Sequence, residues 1–317
     1  MFVIIGTITA DLFIVSEALP TDAGADGFRA SNLIFTETPL TMSMGGNGGN
    51  SAYVLAGLGA PTALCGAVGQ DPFGDTLVRW LQKRQVHLEG LVRSTTQATS
   101  SSTIIMSDAA HQMVFHHLGA TAQFRFEDIP QSLPAEADVL LASSFPIMPQ
   151  MRVHGYAQAL AITRQAAGIT ALDIGPAIGA PVTLAELAPL LPDVDYLIAN
   201  QHELAVLTGT EDLDAAGQQI LAAGVKFVVL KRGKAGASVF GAEIRIAVPG
   251  FQVPAKQSVG AGDSFNVGFL YGVQQGWPLE QALRFGNAVA ALVVSSRRGV
   301  LDSPTLAAVE EFLHEKE

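Results

Sequence analysis

A single cysteine, Cys65, stands in a chain of 317 residues. An intrachain disulfide is therefore excluded, and with no secretion signal the expected setting is a reducing, cytoplasmic one. Cys65 falls within the apolar run Thr62–Val68, where it reads as a small buried residue. Charge is scarce, at 15% of residues, and basic residues are outnumbered 18 to 29, for a formal net charge of −11. Lys231, Arg232 and Lys234 form the one short cationic group. Nucleic-acid binding needs clustered cations against phosphate, so that class is set aside. No apolar stretch approaches the ~20 residues of a membrane span. The opening run Met1–Gly6 is too short for a signal sequence and has no basic flank. The seven histidines lack metal-ligand spacing, which leaves no case for zinc.

What is present is apolar. Hydrophobic residues make up 49% of the chain, enough for a large core. Continuous apolar runs, the mark of strands covered on both faces, occur at 2–5, 62–68, 139–142, 170–172, 196–199 and 227–230. Shorter strand-like runs lie at 103–106, 112–117 and 238–240. Helical patterns alternate with them at 50–57, 74–85, 153–167, 214–223, 264–274, 279–295 and 305–317. That alternation predicts an α/β fold, a doubly wound, mostly parallel sheet flanked by helices. No repeat or low-complexity linker divides the chain, so residues 1–317 are expected to form a single domain. Two regions break the pattern, at about 11–44 and 93–120. They are rich in Thr and Ser, and Phe28–Phe35 and Ser102–Met106 look like exposed antiparallel strands. Together they predict a small β-sheet projecting from the core, as a lid over a substrate, an oligomer interface, or both.

The stretch Ser258-Val-Gly-Ala-Gly-Asp-Ser-Phe-Asn266 precedes a helical pattern. Gly260 and Gly262 allow a tight turn whose N–H groups, at a helix start, attract an anion. An acid at the same point would repel bound phosphate. Asp263 makes chemical sense if it faces a hydroxyl nucleophile and takes its proton as that oxygen attacks a phosphoryl group. The plainer alternative is a helix cap in a glycine-rich turn.

Val259-Gly-Ala-Gly-Asp-Ser-Phe-Asn-Val-Gly-Phe269 resembles the C-terminal signature of the ribokinase-like (PfkB) carbohydrate kinases. Met44-Gly-Gly-Asn-Gly-Gly-Asn-Ser-Ala52, followed by Gly66–Asp75, resembles their N-terminal signature. The order and separation of the two also match, over essentially the whole chain. The resemblance implies an ATP- and Mg²⁺-dependent kinase acting on a small sugar-like molecule, with Asp263 as base and Gly260, Ala261 and Gly262 as the anion hole. It implies substrate contacts from Asp11, Gly45, Gly46, Asn47 and Asn50. Asn200-Gln-His-Glu203 is similar to the family's Asn-x-x-Glu element, with Asn200 near the phosphates and Glu203 organising Mg²⁺ through water; on its own the pattern is equally a capping box. Lys231, Gly233 and Gly236 would line the nucleotide site, and Asn287 would lie near the adenine. A homodimer through the lid is a further implication.

The chain also departs from the family. Gln257 replaces an acid that helps hold a monovalent cation, Asn47 replaces a lysine, and Asp173-Ile-Gly-Pro176 matches only loosely. Arg29 is the one cation between Met1 and Val78, which favours a neutral sugar over a phosphorylated or carboxylated one. His116 and His117 alternate faces, so at most one points into a cleft, and Phe115 could stack on a sugar or base. Two other readings remain: a nucleoside kinase of the adenosine or inosine type, and a catalytically silent sugar or nucleotide sensor. A dinucleotide oxidoreductase is disfavoured, because no Gly-x-Gly-x-x-Gly turn follows the first strand.

Overall fold

The structure is a computed structural model that describes residues 1–15, 35–106, 112–175 and 180–316. The strand expected over Phe28–Phe35 falls almost wholly outside the described residues.

In chain order, β1 (Phe2–Ile5) runs into β2 (Thr9–Val15). There follow β3 (Thr41–Gly45), α1 (Asn47–Gly57), β4 (Thr62–Gly69), α2 (Pro72–Lys83) and β5 (Leu91–Ser94). Then come β6 (Ser100–Met106), β7 (Gln112–His117), α3 (Ser132–Ala135), β8 (Val139–Ala142), α4 (His154–Gln165) and β9 (Ile169–Asp173). α5 (Leu184–Leu187), β10 (Tyr196–Asn200), α6 (Gln201–Thr208), α7 (Leu213–Ala222) and β11 (Phe227–Lys231) continue the alternation. The hairpin β12 (Ala237–Phe240) and β13 (Arg245–Val248) leads to α8 (Ala261–Gln274), α9 (Leu279–Ser295) and α10 (Leu306–Glu315).

The main sheet has the order β13-β12-β11-β10-β9-β8-β1-β4-β5. Its strands are parallel from β11 to β5, and β12 and β13 are antiparallel. Alternate residues feed opposite faces. Phe2 and Ile4 join one buried layer with Val54, Leu77, Phe269 and Leu283. Val3 and Ile5 join the other with Tyr156, Leu160, Leu204 and Ile220. Burial on both faces explains why these strands are apolar throughout.

The smaller sheet has the order β3-β2-β6-β7, with β2 and β6 parallel and the outer pairs antiparallel. Ser100 and Thr41 begin strands of this sheet. Leu91–Ser94 does not belong to it, although it lies near the second lid-like segment. It pairs with β4 at the edge of the main sheet, and its four half-buried residues give it the mixed composition of an exposed strand.

Candidate active site

The main sheet reverses its winding at β1, which lies between β4 and β8. In open α/β sheets the crevice at the carboxyl ends of such strands is the usual ligand site. Here Thr7 follows β1 and Ser144 follows β8, while Asp173, Asn200 and Lys231 end β9, β10 and β11. The starts of α1 and α8 close over the same crevice.

α8 begins three residues earlier than the sequence pattern suggests, so Asp263 sits in its first turn. Gly260 precedes the helix in a left-handed conformation, φ 79°, which a glycine adopts without strain. A Cβ there would lie 2.3 Å from Val300 Cγ2. The Asp263 carboxylate does not cap the helix. Its Oδ1 accepts from Asn47 Nδ2 and its Oδ2 from Asn50 Nδ2, each at 2.8 Å. The two glycine-rich loops, more than 200 residues apart in sequence, thus meet at one carboxylate. Burial pushes the Asp263 pKa up, the Asp173 charge adds to this, and the Asn50 and Asn47 hydrogen bonds and the Lys231 charge oppose it.

Asn47 is itself held. Its Oδ1 accepts from the Ser144 hydroxyl at 3.0 Å, and its backbone N–H donates to Thr7 Oγ1 at 3.2 Å. With its oxygen so engaged, its Nδ2 is turned toward Asp263. Asn50 Oδ1 is buried without a partner. Gly46 caps α1 with φ 77°. Gly45 lies against Asp11, where a Cβ would overlap the Asp11 carboxylate at 2.1 Å. Asp11 is 5% exposed, on β2. Its pKa is raised to about 6, chiefly by burial and further by the Asp263 charge, against the hydrogen bond from Ser102.

Behind Asp263 lies a second charged group, in which Lys231 and Glu203 meet Asp173, an acid to which sequence reasoning gave no role. Lys231 Nζ donates to Asp173 Oδ2 at 2.8 Å, and Asn266 Nδ2 donates to the same oxygen. The legible signal was an acid at the end of a buried parallel strand. Lys231 is held above the usual lysine range: its burial opposes this, but the carboxylates of Asp173, Glu203 and Asp263 outweigh it. Asn200 and Glu203 do form a capping box for α6: Glu203 N donates to Asn200 Oδ1 at 2.8 Å, and Asn200 N to Glu203 Oε2 at 2.7 Å. Glu203 nonetheless faces the cluster. Burial raises its pKa to about 7, Lys231 opposes this, and the Asp173 and Asp263 charges add to it.

Gly233 and Gly236 shape the turn between β11 and β12, where Gly236 N donates to Gly233 O at 3.0 Å. Asn287, on α9, donates through Nδ2 to Pro249 O at 3.1 Å, and Pro249 packs against Gly236. Phe115 is not in the cleft. It lies opposite Thr103, on the sheet face turned away from Asp11, and is 59% exposed. The strand register decides this, since a one-residue step changes faces. His116, opposite Ser102, shares the Asp11 face.

The crevice fits a polyphosphate. The first-turn N–H groups of α8 lack partners within the helix, and a Cβ at Gly262 would stand 3.5 Å from Lys231 Nζ, which places the ammonium beside that turn. Among the described residues no trio of His, Cys, Asp or Glu can encage a metal ion. Mg²⁺, which keeps several waters and leans on phosphate oxygens, needs no such cage.

Comparison with known proteins identifies the family. The ATP-dependent ribose-1-phosphate kinase of Halopiger xanaduensis is 30% identical over 313 residues, 98% of this chain and 97% of that protein. The ribokinase of Bacillus subtilis is 26% identical over 98% of both chains. The structure of Arabidopsis thaliana ribokinase complexed with ribose and ATP superposes with a TM-score of 0.82 at 25% identity, covering 98% of each chain. Residues 1–306 match the pfkB family carbohydrate kinases; the chain belongs to that family and is a sugar kinase, a phosphotransferase with an alcohol group as acceptor.

Proposed function

We propose that the enzyme transfers the γ-phosphoryl group of ATP to a hydroxyl of a small, neutral sugar, with Asp263 as general base. The observation that carries this reading is the double amide clamp on the Asp263 carboxylate beside a helix start that has no side-chain cap. Asn47 and Asn50 orient the carboxylate and favour its ionised form. Asp263 accepts the proton of the acceptor hydroxyl as that oxygen attacks. The N–H groups of Gly260, Ala261 and Gly262, together with Lys231, stand where charge spreads over the transferring oxygens. Asp11 holds neighbouring hydroxyls, since a carboxylate accepts several hydrogen bonds at once. Asn200, Gly233, Gly236 and Asn287 line the nucleotide end. Glu203 orders water on Mg²⁺, which when bound neutralises the phosphates.

The small sheet serves as a lid over the acceptor. Its outer face, with Phe115 and the 50%-exposed Met113, is where two copies pair. Sedimentation should give a dimer for the wild type and a monomer for Phe115→Glu.

A phosphorylated acceptor is a second reading, favoured by the 30% identity to a ribose-1-phosphate kinase. Arg29, the cation best placed in sequence to serve it, lies outside the described residues. ADP release should be measured over ribose, ribose 1-phosphate, several hexoses, 5-dehydro-2-deoxygluconate, adenosine and inosine. The highest kcat/KM on an uncharged sugar supports the first reading. Preference for ribose 1-phosphate replaces it with the second, and no release above background ATP hydrolysis defeats both.

A further inference from the structure

A polar row crosses the small sheet and runs beyond the residues assigned above. Asp11 on β2 lies opposite Ser102 on β6, which lies opposite His116 on β7. Directly paired residues share a face, so all three point to the side of the sheet that holds Asp11. Ser102 Oγ is 3.1 Å from His116 Nδ1 and also hydrogen-bonds Asp11. Asp11 and Ser102 are buried, at 5% and 8% exposure, while His116 stands at the exposed rim. His117 cannot take its place, because it lies opposite Ser101 on the other face.

Proton counting gives the row a direction. A serine hydroxyl has one proton to donate. Ionised Asp11 can only accept, so Ser102 donates to Asp11, and the serine oxygen then accepts from His116. The imidazole proton therefore sits on Nδ1. Partial burial and the neighbouring His117 hold the His116 pKa below the ordinary value, which keeps the ring neutral. A neutral imidazole has one N–H, so Nε2 is left with a bare lone pair.

We infer that His116 is a specificity-determining residue, whose Nε2 accepts a hydrogen bond from a substrate hydroxyl remote from the one phosphorylated. Two inter-strand spacings, roughly 10 Å, separate the Asp11 and His116 backbones. The imidazole therefore meets the far side of a sugar held at Asp11, not its reacting end. The inference rests on the proposed sugar-kinase reading and sharpens its substrate class to polyols that carry a hydroxyl donor at that far position.

The test uses the full-length enzyme with the best neutral sugar of the panel and its monodeoxy analogues. His116→Ala should raise the KM for the parent sugar roughly tenfold, the worth of one hydrogen bond, with the KM for ATP within about twofold of wild type. His116→Gln should recover part of the loss through its carbonyl oxygen. For one analogue alone, wild type and His116→Ala should show equal kcat/KM, because the hydroxyl that His116 reads is missing. Imidazole ¹⁵N shifts should show the Nδ1–H tautomer at His116, lost in Ser102→Ala. A wild-type enzyme that keeps its whole analogue ranking after His116→Ala overturns the inference alone, as does an Nε2–H tautomer in the wild type. Absence of turnover on every sugar overturns the kinase reading and this inference with it, whereas the unchanged ranking or the Nε2–H tautomer, found in an enzyme that does turn over, leaves the kinase reading standing.

Discussion

Two helix starts face each other across the crevice, each opened by a glycine at positive φ. α1 is capped by Gly46 at φ 77° and α8 by Gly260 at φ 79°, and neither has a side-chain cap. Both aim the positive end of a helix dipole into the same space. The first turn of α1 contains no acid, only the amides of Asn47 and Asn50, while that of α8 carries Asp263. A glycine-capped start with donors alone can bind and orient. Adding one carboxylate, clamped by the opposite start, turns the pair into a device that can also remove a proton. In the proposed mechanism, catalysis comes from this asymmetry.

Asp263→Asn breaks the asymmetry outright. Turnover should fall by roughly two or more orders of magnitude, the scale of losing a general base, while ATP affinity in a fluorescent-nucleotide titration stays near wild type. Wild-type turnover in single-turnover kinetics would remove Asp263 from the base role.

Asn50→Ala and Asn47→Ala weaken the other side. Each Asn donor lowers the Asp263 pKa, so its loss leaves that pKa higher still. The ionised base then appears only at higher pH, and the acidic limb of the kcat profile should move upward. The fall in kcat should be about tenfold at neutral pH, the worth of a hydrogen bond to a charged group, and should shrink as the pH rises. An unmoved acidic limb would mean that the amides do not set the base.

Asp11 offers a third term of comparison, a carboxylate buried with fewer donors than Asp263. Its folded pKa is about 6 against an ordinary 3.8. The folded state therefore binds this proton more tightly than the unfolded chain, and its stabilising contribution is present in acid and lost as the pH rises through 6. Asp11→Asn does not titrate. Its gain in stability over wild type should be near zero below pH 4 and grow to at most about 3 kcal/mol above pH 7, read from urea unfolding at several pH values.

The smallest effect concerns the loop before α8. Gln257 carries no charge and packs against Gly299, where a Cβ would stand 1.6 Å from its Nε2. Replacing K⁺ by Na⁺ at constant ionic strength should change kcat by less than about twofold, because a neutral amide holds a monovalent cation far more weakly than a carboxylate does. A larger activation would show that other groups hold the ion.

The parallel strands of the main sheet were legible because burial on both faces leaves uninterrupted apolar runs such as 139–142 and 227–230. The small sheet was visible only as a change of texture, and β5 was blended into it because a half-buried edge strand and a lid strand draw on the same residues. Asp263 and its glycines could be found because a tight turn and an acid must be adjacent in sequence. Asp173 could not, since its meaning comes from Lys231 and Asn266, which belong to other elements. Asn200 and Glu203 show the reverse case: the local pattern foretold the capping box, but only the position at the end of β10 puts that box beside a charged cluster.

The sequence by itself determined the layered α/β architecture, the two glycine turns and the acid within the second, because periodicity and backbone freedom are local properties of the chain. Only the tertiary structure decided which amides clamp that acid, that the row of Asp11, Ser102 and His116 shares one face, and that Phe115 lies on the other. Those are matters of strand register and of contacts across long separations, and a carboxylate acquires its acidity and its partners only when distant segments exclude water together.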